Sequence, residues 1–158
     1  MTTIVRIQRQ FQFMSSVIED GSKSQVLNAS ISKWAVSQHI DHLLKAAERI
    51  LTQLKSKENR ATKPKNILGK IILFVGVIPK GRESPRAVAG ELKSQGELAE
   101  SLSKVRSLLE AVDFRTLELT TFDHHVFGGL NGKEWLRFMV IHNNHHVKII
   151  KKILSERP

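Results

Sequence analysis

The sequence predicts an all-α protein, an antiparallel four-helix bundle with an extra short helix in its middle connection. Three observations carry this. Four segments place apolar residues three and four apart, the repeat of one buried helix face. Polar, glycine and proline clusters separate these segments. No segment shows the alternation of a half-buried strand, and no internal repeat is visible. At 158 residues the chain fits one domain, spanning 1–158, that can bury a core without disulfides or a structural metal.

In the first segment Ile4, Ile7, Phe11, Met14 and Ile18 form the stripe and Gly21 stops it. The polar connection "DGSKSQVLNAS" follows. A second helix is expected from near Ser32 to about Leu54, with Val36, Ile40, Leu43, Ala47, Ile50 and Leu54 facing inward. "KSKENRATKPKN" has the composition of a loop, residues 67 to 78 read as a short helix ended by Pro79, and "PKGRESPR" reads as a further loop. Ser94 followed by Glu97 has the spacing of a capping box, and Leu98, Leu102, Val105, Leu109 and Val112 continue it as a stripe. Asn131 and Glu134 repeat the capping pattern, with Leu130 and Trp135 placed as a hydrophobic staple. The last stripe is Trp135, Phe138, Met139, His142, His146, Ile149 and Ile153.

Composition excludes several classes of function. The chain has no cysteine, which removes disulfides, thiolate metal sites and a cysteine nucleophile. "MTTIVRIQRQF" is broken by charge before any signal-peptide core develops, and "ILGKIILFVGVI" is shorter than the ~20 residues that span a bilayer. A cytoplasmic protein with no membrane partner is the expectation. The net charge is +10, and nine basic residues between Lys55 and Arg86 stand against only Glu58 and Glu83. Phe74 is the sole aromatic there, so a base-stacking surface lacks its platform. A solvated basic loop is the simpler reading, and the same field would serve an anionic small-molecule substrate.

The seven histidines carry the chemistry. His142 and His146 are four residues apart, so their Cβ atoms lie roughly 5–6 Å from one another on one helix face. Both fall in the inward stripe, and two neighbouring buried imidazoles are hard to satisfy without a shared partner; a divalent ion is one. His145 is turned about 60° from His142 and is the poorer ligand. The segment reads "HNNHH", with Asn143 where a zincin would carry its glutamate base, so a zinc protease of that kind is excluded. A site within a bundle needs a further ligand from a facing helix. The second helix offers His39, nearer the centre of its stripe, and His42, nearer the edge; helical angle leaves both open and leans to His39. Gln38, one turn before His42, is a candidate to orient a ligand, against the plainer role of a capping or solvated side chain.

A tryptophan at the start of the second helix, a histidine eight residues on and an HxxxH on the last helix resemble the DinB/YfiT-like superfamily. Here these are Trp34, His42, His142 and His146. The resemblance implies a four-helix bundle in which three histidines bind a divalent metal, often zinc or nickel, and it selects His42 over His39. "HHVFGGLNGKEWLRFMVIHNNHHVKII" further resembles a subgroup with a histidine-proline-x-phenylalanine-glycine loop before the last helix. His124 aligns with the loop histidine, and His125 replaces the proline. Relatives include thiol-dependent transferases and isomerases, and dimers are frequent among them. The resemblance thus implies a metal-dependent enzyme of transferase or hydrolase type, with His42, His142 and His146 as metal ligands, an open coordination position and a small thiol as cosubstrate. No catalytic residue is assigned. The apolar residues of 67 to 78 are a candidate contact for a homodimer. The alternative from another class is a non-catalytic basic module that contacts nucleic acid or an acidic partner, its histidines structural.

Overall fold

A computed structural model describes residues 2–78 and 86–156. Four long helices build it: α1 (Thr3–Glu19), α3 (Val36–Ser56), α5 (Gln95–Glu110) and α6 (Gly132–Ser155). Shorter elements are α2 (Gly21–Ser24), α4 (Ile67–Val75), β1 (Thr121–His124) and β2 (Gly128–Asn131), with 3-10 turns at Arg86–Val88 and Phe114–Thr116. The all-α bundle expected from the stripes is present. α3 packs on α5 and α6, and α1 packs on the same two helices, so α1 and α3 lie across the core from each other.

Helix directions follow from the side-chain contacts. Along α3 and α6 the pairs His39–His146 and His42–His142 run in opposite senses, and so do Gln95–Glu19 and Arg106–Phe11 between α5 and α1. The α1–α6 pair is parallel, with Gln10 at Asn143 and Phe13 at Lys151. The α3–α5 pair is parallel too, with Glu48 at Lys104 and Lys57 at Asp113. The connection through 57–94 is what permits this: it carries the chain back along the bundle before α5 begins.

The stripes bury as their spacing requires, with Ile7, Met14, Val36, Ile40, Leu98, Val105, Met139 and Ile153 all sealed in one core. Both capping boxes form: Ser94 with Glu97 opens α5, and Asn131 with Glu134 opens α6. α3 begins at Val36, the first residue of its stripe and later than the start expected near Ser32. Ser32 Oγ accepts the Trp34 N–H at 3.0 Å, a local turn that competes with helix. The Ala35 N–H is satisfied by Gln38 Oε1 at 3.0 Å, so Gln38 is a capping residue. α4 stops at Gly76, whose φ of 75° closes the helix in the left-handed region. The expected stop at Pro79 and the loop through residue 85 lie outside the described residues. Arg137 of α6 donates to the Leu73 and Phe74 carbonyls at that end, pairing a cation with the negative pole of α4. Ile67, Ile71, Phe74 and Val75 remain exposed on α4.

Among the described residues, the strands that the sequence did not lead one to expect are those of the β1–β2 hairpin. It is antiparallel, pairing Thr121 with Asn131 and His124 with Gly128 around a three-residue loop. Gly128 has φ of 78°, the left-handed position that three-residue hairpin loops require. A Cβ there would also stand 2.1 Å from the Pro64 carbonyl oxygen. The segment around 59–66 runs beside the hairpin, with Gly129 N–H donating to the Lys63 carbonyl at 2.9 Å and Asn66 N–H to the Phe127 carbonyl at 2.9 Å. Trp135 of α6 pins the other side, donating Nε1–H to the Phe122 carbonyl at 3.1 Å and stacking on its ring at 4.4 Å.

Candidate metal centre

The antiparallel pairing of α3 with α6 sets the site. His42 lies in the second turn of α3 and His142 and His146 on consecutive turns of α6, and one nitrogen from each falls within 4.8 Å of the others. His42 Nε2 and His142 Nε2 are 2.9 Å apart. Nitrogens that share a tetrahedral ion at about 2.05 Å lie roughly 3.3 Å from each other, so the His42–His142 pair is within a few tenths of an ångström of that spacing, and the His146 nitrogen lies within 4.8 Å of both. The donor set suits a divalent transition metal.

Protonation favours the same use. Burial first, then the neighbouring histidines, pushes the His142 imidazole down to about 3 and holds His146 far below its usual range. His42 is lowered as well, chiefly by burial. All three are therefore neutral at pH 7 and have lone pairs to offer.

Two of the rings are oriented from behind. His42 Nδ1 faces the Val88 carbonyl at 2.5 Å, which fixes the proton on Nδ1 and leaves Nε2 as the acceptor. The loop that carries Val88 is clamped onto α3. Buried Asp41 accepts the Glu91 N–H at 2.8 Å and pairs with Lys45 at 2.9 Å, and Lys45 also reaches Glu91 at 3.2 Å. Gly90 lets this loop approach, since a Cβ there would sit 2.0 Å from the Gln38 carbonyl oxygen.

His146 Nδ1 meets His39 Nδ1 at 2.9 Å, and His39 Nε2 meets Ser32 Oγ at 2.9 Å. His39 is thus part of a chain behind His146 and does not join the three-nitrogen group. Helical angle leaned to His39, whereas the nitrogens that come together are those of His42, His142 and His146. The centre of the α3 stripe points into the sealed core, whereas an open site forms at the stripe's edge, where α3 meets the cavity. Trp34 packs edge-on against His39 and His42, with ring centroids 5.4 and 5.3 Å away.

The three histidines line a cavity of about 560 Å³, a size that suits a small molecule. Its walls are apolar, from Ile50, Ile72, Phe127, Trp135 and Phe138, with Arg49 and Arg60 also contributing. Six of the seven histidines line it, all but His39. His145 is half-buried and edge-on to His146 at 5.1 Å. His125 is exposed and stacks on His124 at 4.5 Å. His124 closes β1 as a buried wall residue. Asn143 is turned away: its Nδ2 donates to Gln10 Oε1 at 3.0 Å, tying α6 to α1. The Val88 carbonyl and Ser32 hydroxyl were not foreseeable as partners of the histidines, because neither residue type marks such a role. No helix among the described residues is long and apolar enough to cross a membrane.

No curated protein and no solved structure matches the chain significantly. The family model of the DinB superfamily matches residues 7–150, which spans the bundle, the hairpin and all seven histidines, and the chain belongs to that superfamily.

Proposed function

We propose that the protein is a metal-dependent enzyme acting on a small molecule, with His42, His142 and His146 as the ligands of a divalent ion, zinc or nickel. The observation that carries this reading is the convergence of three neutral imidazoles on one point of an apolar cavity. When bound, such an ion supplies a Lewis acid that lowers the pKa of a coordinated water or thiol. The protein's part is to hold three lone pairs in place and exclude bulk water. His42 does so through its Nδ1–H bond to Val88. His146 does so when its Nδ1–H donates to His39 Nδ1, which places the His39 proton on Nε2, facing Ser32 Oγ.

Three protein ligands leave a coordination position for water or substrate. Without any cysteine in the chain, a thiol nucleophile would arrive with a cosubstrate, which gives a thiol-dependent transferase; water in its place gives a hydrolase. The basic-module reading draws less support. Lys57, Arg60 and Lys65 of the basic connection are in ion pairs with Asp113, Glu58 and Glu134, and Phe74 is its only ring.

Cobalt-substituted protein titrated with 2-mercaptoethanol separates the two enzyme types. Growth of a near-ultraviolet thiolate-to-cobalt band that saturates, and that is missing in His142→Ala, supports thiol chemistry. A normal cobalt spectrum that no thiol alters would overturn the transferase in favour of the hydrolase.

A further inference from the structure

His124 lies outside the three-nitrogen group, and its ring is fixed by hydrogen bonds from the hairpin loop. Its Nδ1 accepts two backbone N–H groups of the hairpin loop, from Val126 at 3.1 Å and Phe127 at 3.3 Å. An Nδ1 that accepts cannot carry the proton, so the neutral ring is the Nε2–H tautomer. The ring is held rigidly as well, stacked on Phe127 at 4.1 Å with a 9° interplanar angle and edge-on to Phe138 at 4.7 Å. Burial, with His125 adding to it, pushes its pKa down to about 3, so the proton arrangement is fixed at pH 7.

Nε2–H has no hydrogen-bond partner among the described residues. Nor is it a sealed orphan, since the buried unpartnered atoms are Ser37 Oγ and Asn143 Oδ1. It opens to the cavity that its ring lines. Phe138 stands between it and the other end, edge-on to His124 and stacked on His142 at 5.5 Å. The fixed donor and the three-histidine group are therefore one aromatic ring apart, facing one apolar space. The described carboxylate on that wall, Asp123, is occupied by the Thr62 and Lys63 N–H groups and the Thr62 hydroxyl.

We propose that His124 is a ligand-positioning residue: its Nε2–H is a preformed donor to an oxygen acceptor, most simply a carboxylate, of a small apolar molecule whose other end reaches His42, His142 and His146. The ligand class is bifunctional, a metal-binding group and an anionic group joined by a ring-sized apolar body. This rests on the metal site proposed above, and Arg49 on the same cavity adds favourable charge.

Two probes differing only in the acceptor test it: benzyl mercaptan and 4-(mercaptomethyl)benzoate, titrated into the zinc-loaded full chain. Wild type should bind the carboxylate probe about tenfold more tightly, the scale of a hydrogen bond to a charged group. His124→Asn keeps an acceptor for the loop amides but removes the cavity donor, and should bring the ratio of the two affinities, measured in the same variant, close to one. His124→Gln, which keeps a donor at the distal position, should retain part of the preference. Histidine nitrogen NMR should show His124 protonated on Nε2 alone from pH 6 to 8. A preference that survives in His124→Asn, or a proton on Nδ1, overturns the proposal. Binding of both probes that ignores zinc removal, with the preference still dependent on His124, would instead count against the metal site and leave this donor standing.

Discussion

The two sides of the cavity are built differently. One is helical: His42, His142 and His146 are held by α3 and α6, whose positions are set by a sealed core. The other is a hairpin of two four-residue strands and its loop, with His124 and Phe127 held by backbone amides, one left-handed glycine and the neighbouring 59–66 segment. On the helical side the His42 proton is drawn backward to Val88, which leaves a lone pair for the cavity, and His146 has the same arrangement when its Nδ1–H donates to His39. The hairpin side presents a proton, because its lone pair is drawn backward to two N–H groups. Opposite wiring of one residue type gives an acceptor set for a cation and a donor for an anion.

That contrast can be broken at either side. The largest effect should come from the helical side: zinc at a hundred times its dissociation constant stabilises the wild-type chain by about 2.7 kcal/mol, and His146→Ala should show no zinc-dependent rise in Tm. His39→Ala should retain metal binding but weaken it roughly 10–100-fold, the usual cost of losing the group that orients a ligand; competition with a chromophoric chelator would measure this, and an unchanged affinity would show that His146 needs no partner. On the hairpin side, Gly128→Ala should cost about 1–2 kcal/mol from the left-handed backbone alone, with the clash against Pro64 added. Urea denaturation of the metal-free chain would report the loss, while zinc affinity stays within a few-fold if the two sides are as separate as they look.

The hairpin side also responds to pH. The His124 imidazole sits at about 3 in the folded chain against 6.5 when free. Between those values the unfolded chain holds a proton that the folded ring refuses. Its stabilisation is complete above pH 6.5 and falls as the pH drops toward 3, by up to about 1.4 kcal/mol per pH unit. Metal-free His124→Asn should lose that share of the slope between pH 6.5 and 5, and an unchanged slope would show that the ring takes up its proton without unfolding.

The same division governs what could be read from sequence. Helical periodicity and two capping boxes revealed the bundle, because the repeat of a buried face is written in residues three and four apart. His142 and His146 followed from that repeat. The hairpin did not, since strands of four residues are too short for alternation to register and the segment that flanks them, with Lys63 and Asn66, lies about 60 positions away. For a related reason helical angle left His39 and His42 both open, with a lean to His39, while the resemblance selected His42. Angle measures depth in the core, whereas the cavity depends on where a distant loop leaves a gap. The parallel pairing of α3 with α5 was equally hidden, because it depends on how the connection through 57–94 returns.

The central claim is tested most directly by metal analysis of protein purified without a histidine tag, comparing wild type with His42→Ala, His142→Ala, His146→Ala and His39→Ala. The account predicts about one equivalent of zinc or nickel in wild type, close to none in the first three variants, and retained though weaker binding in His39→Ala. Substoichiometric metal in wild type, or content that is unchanged in the three variants, would contradict it.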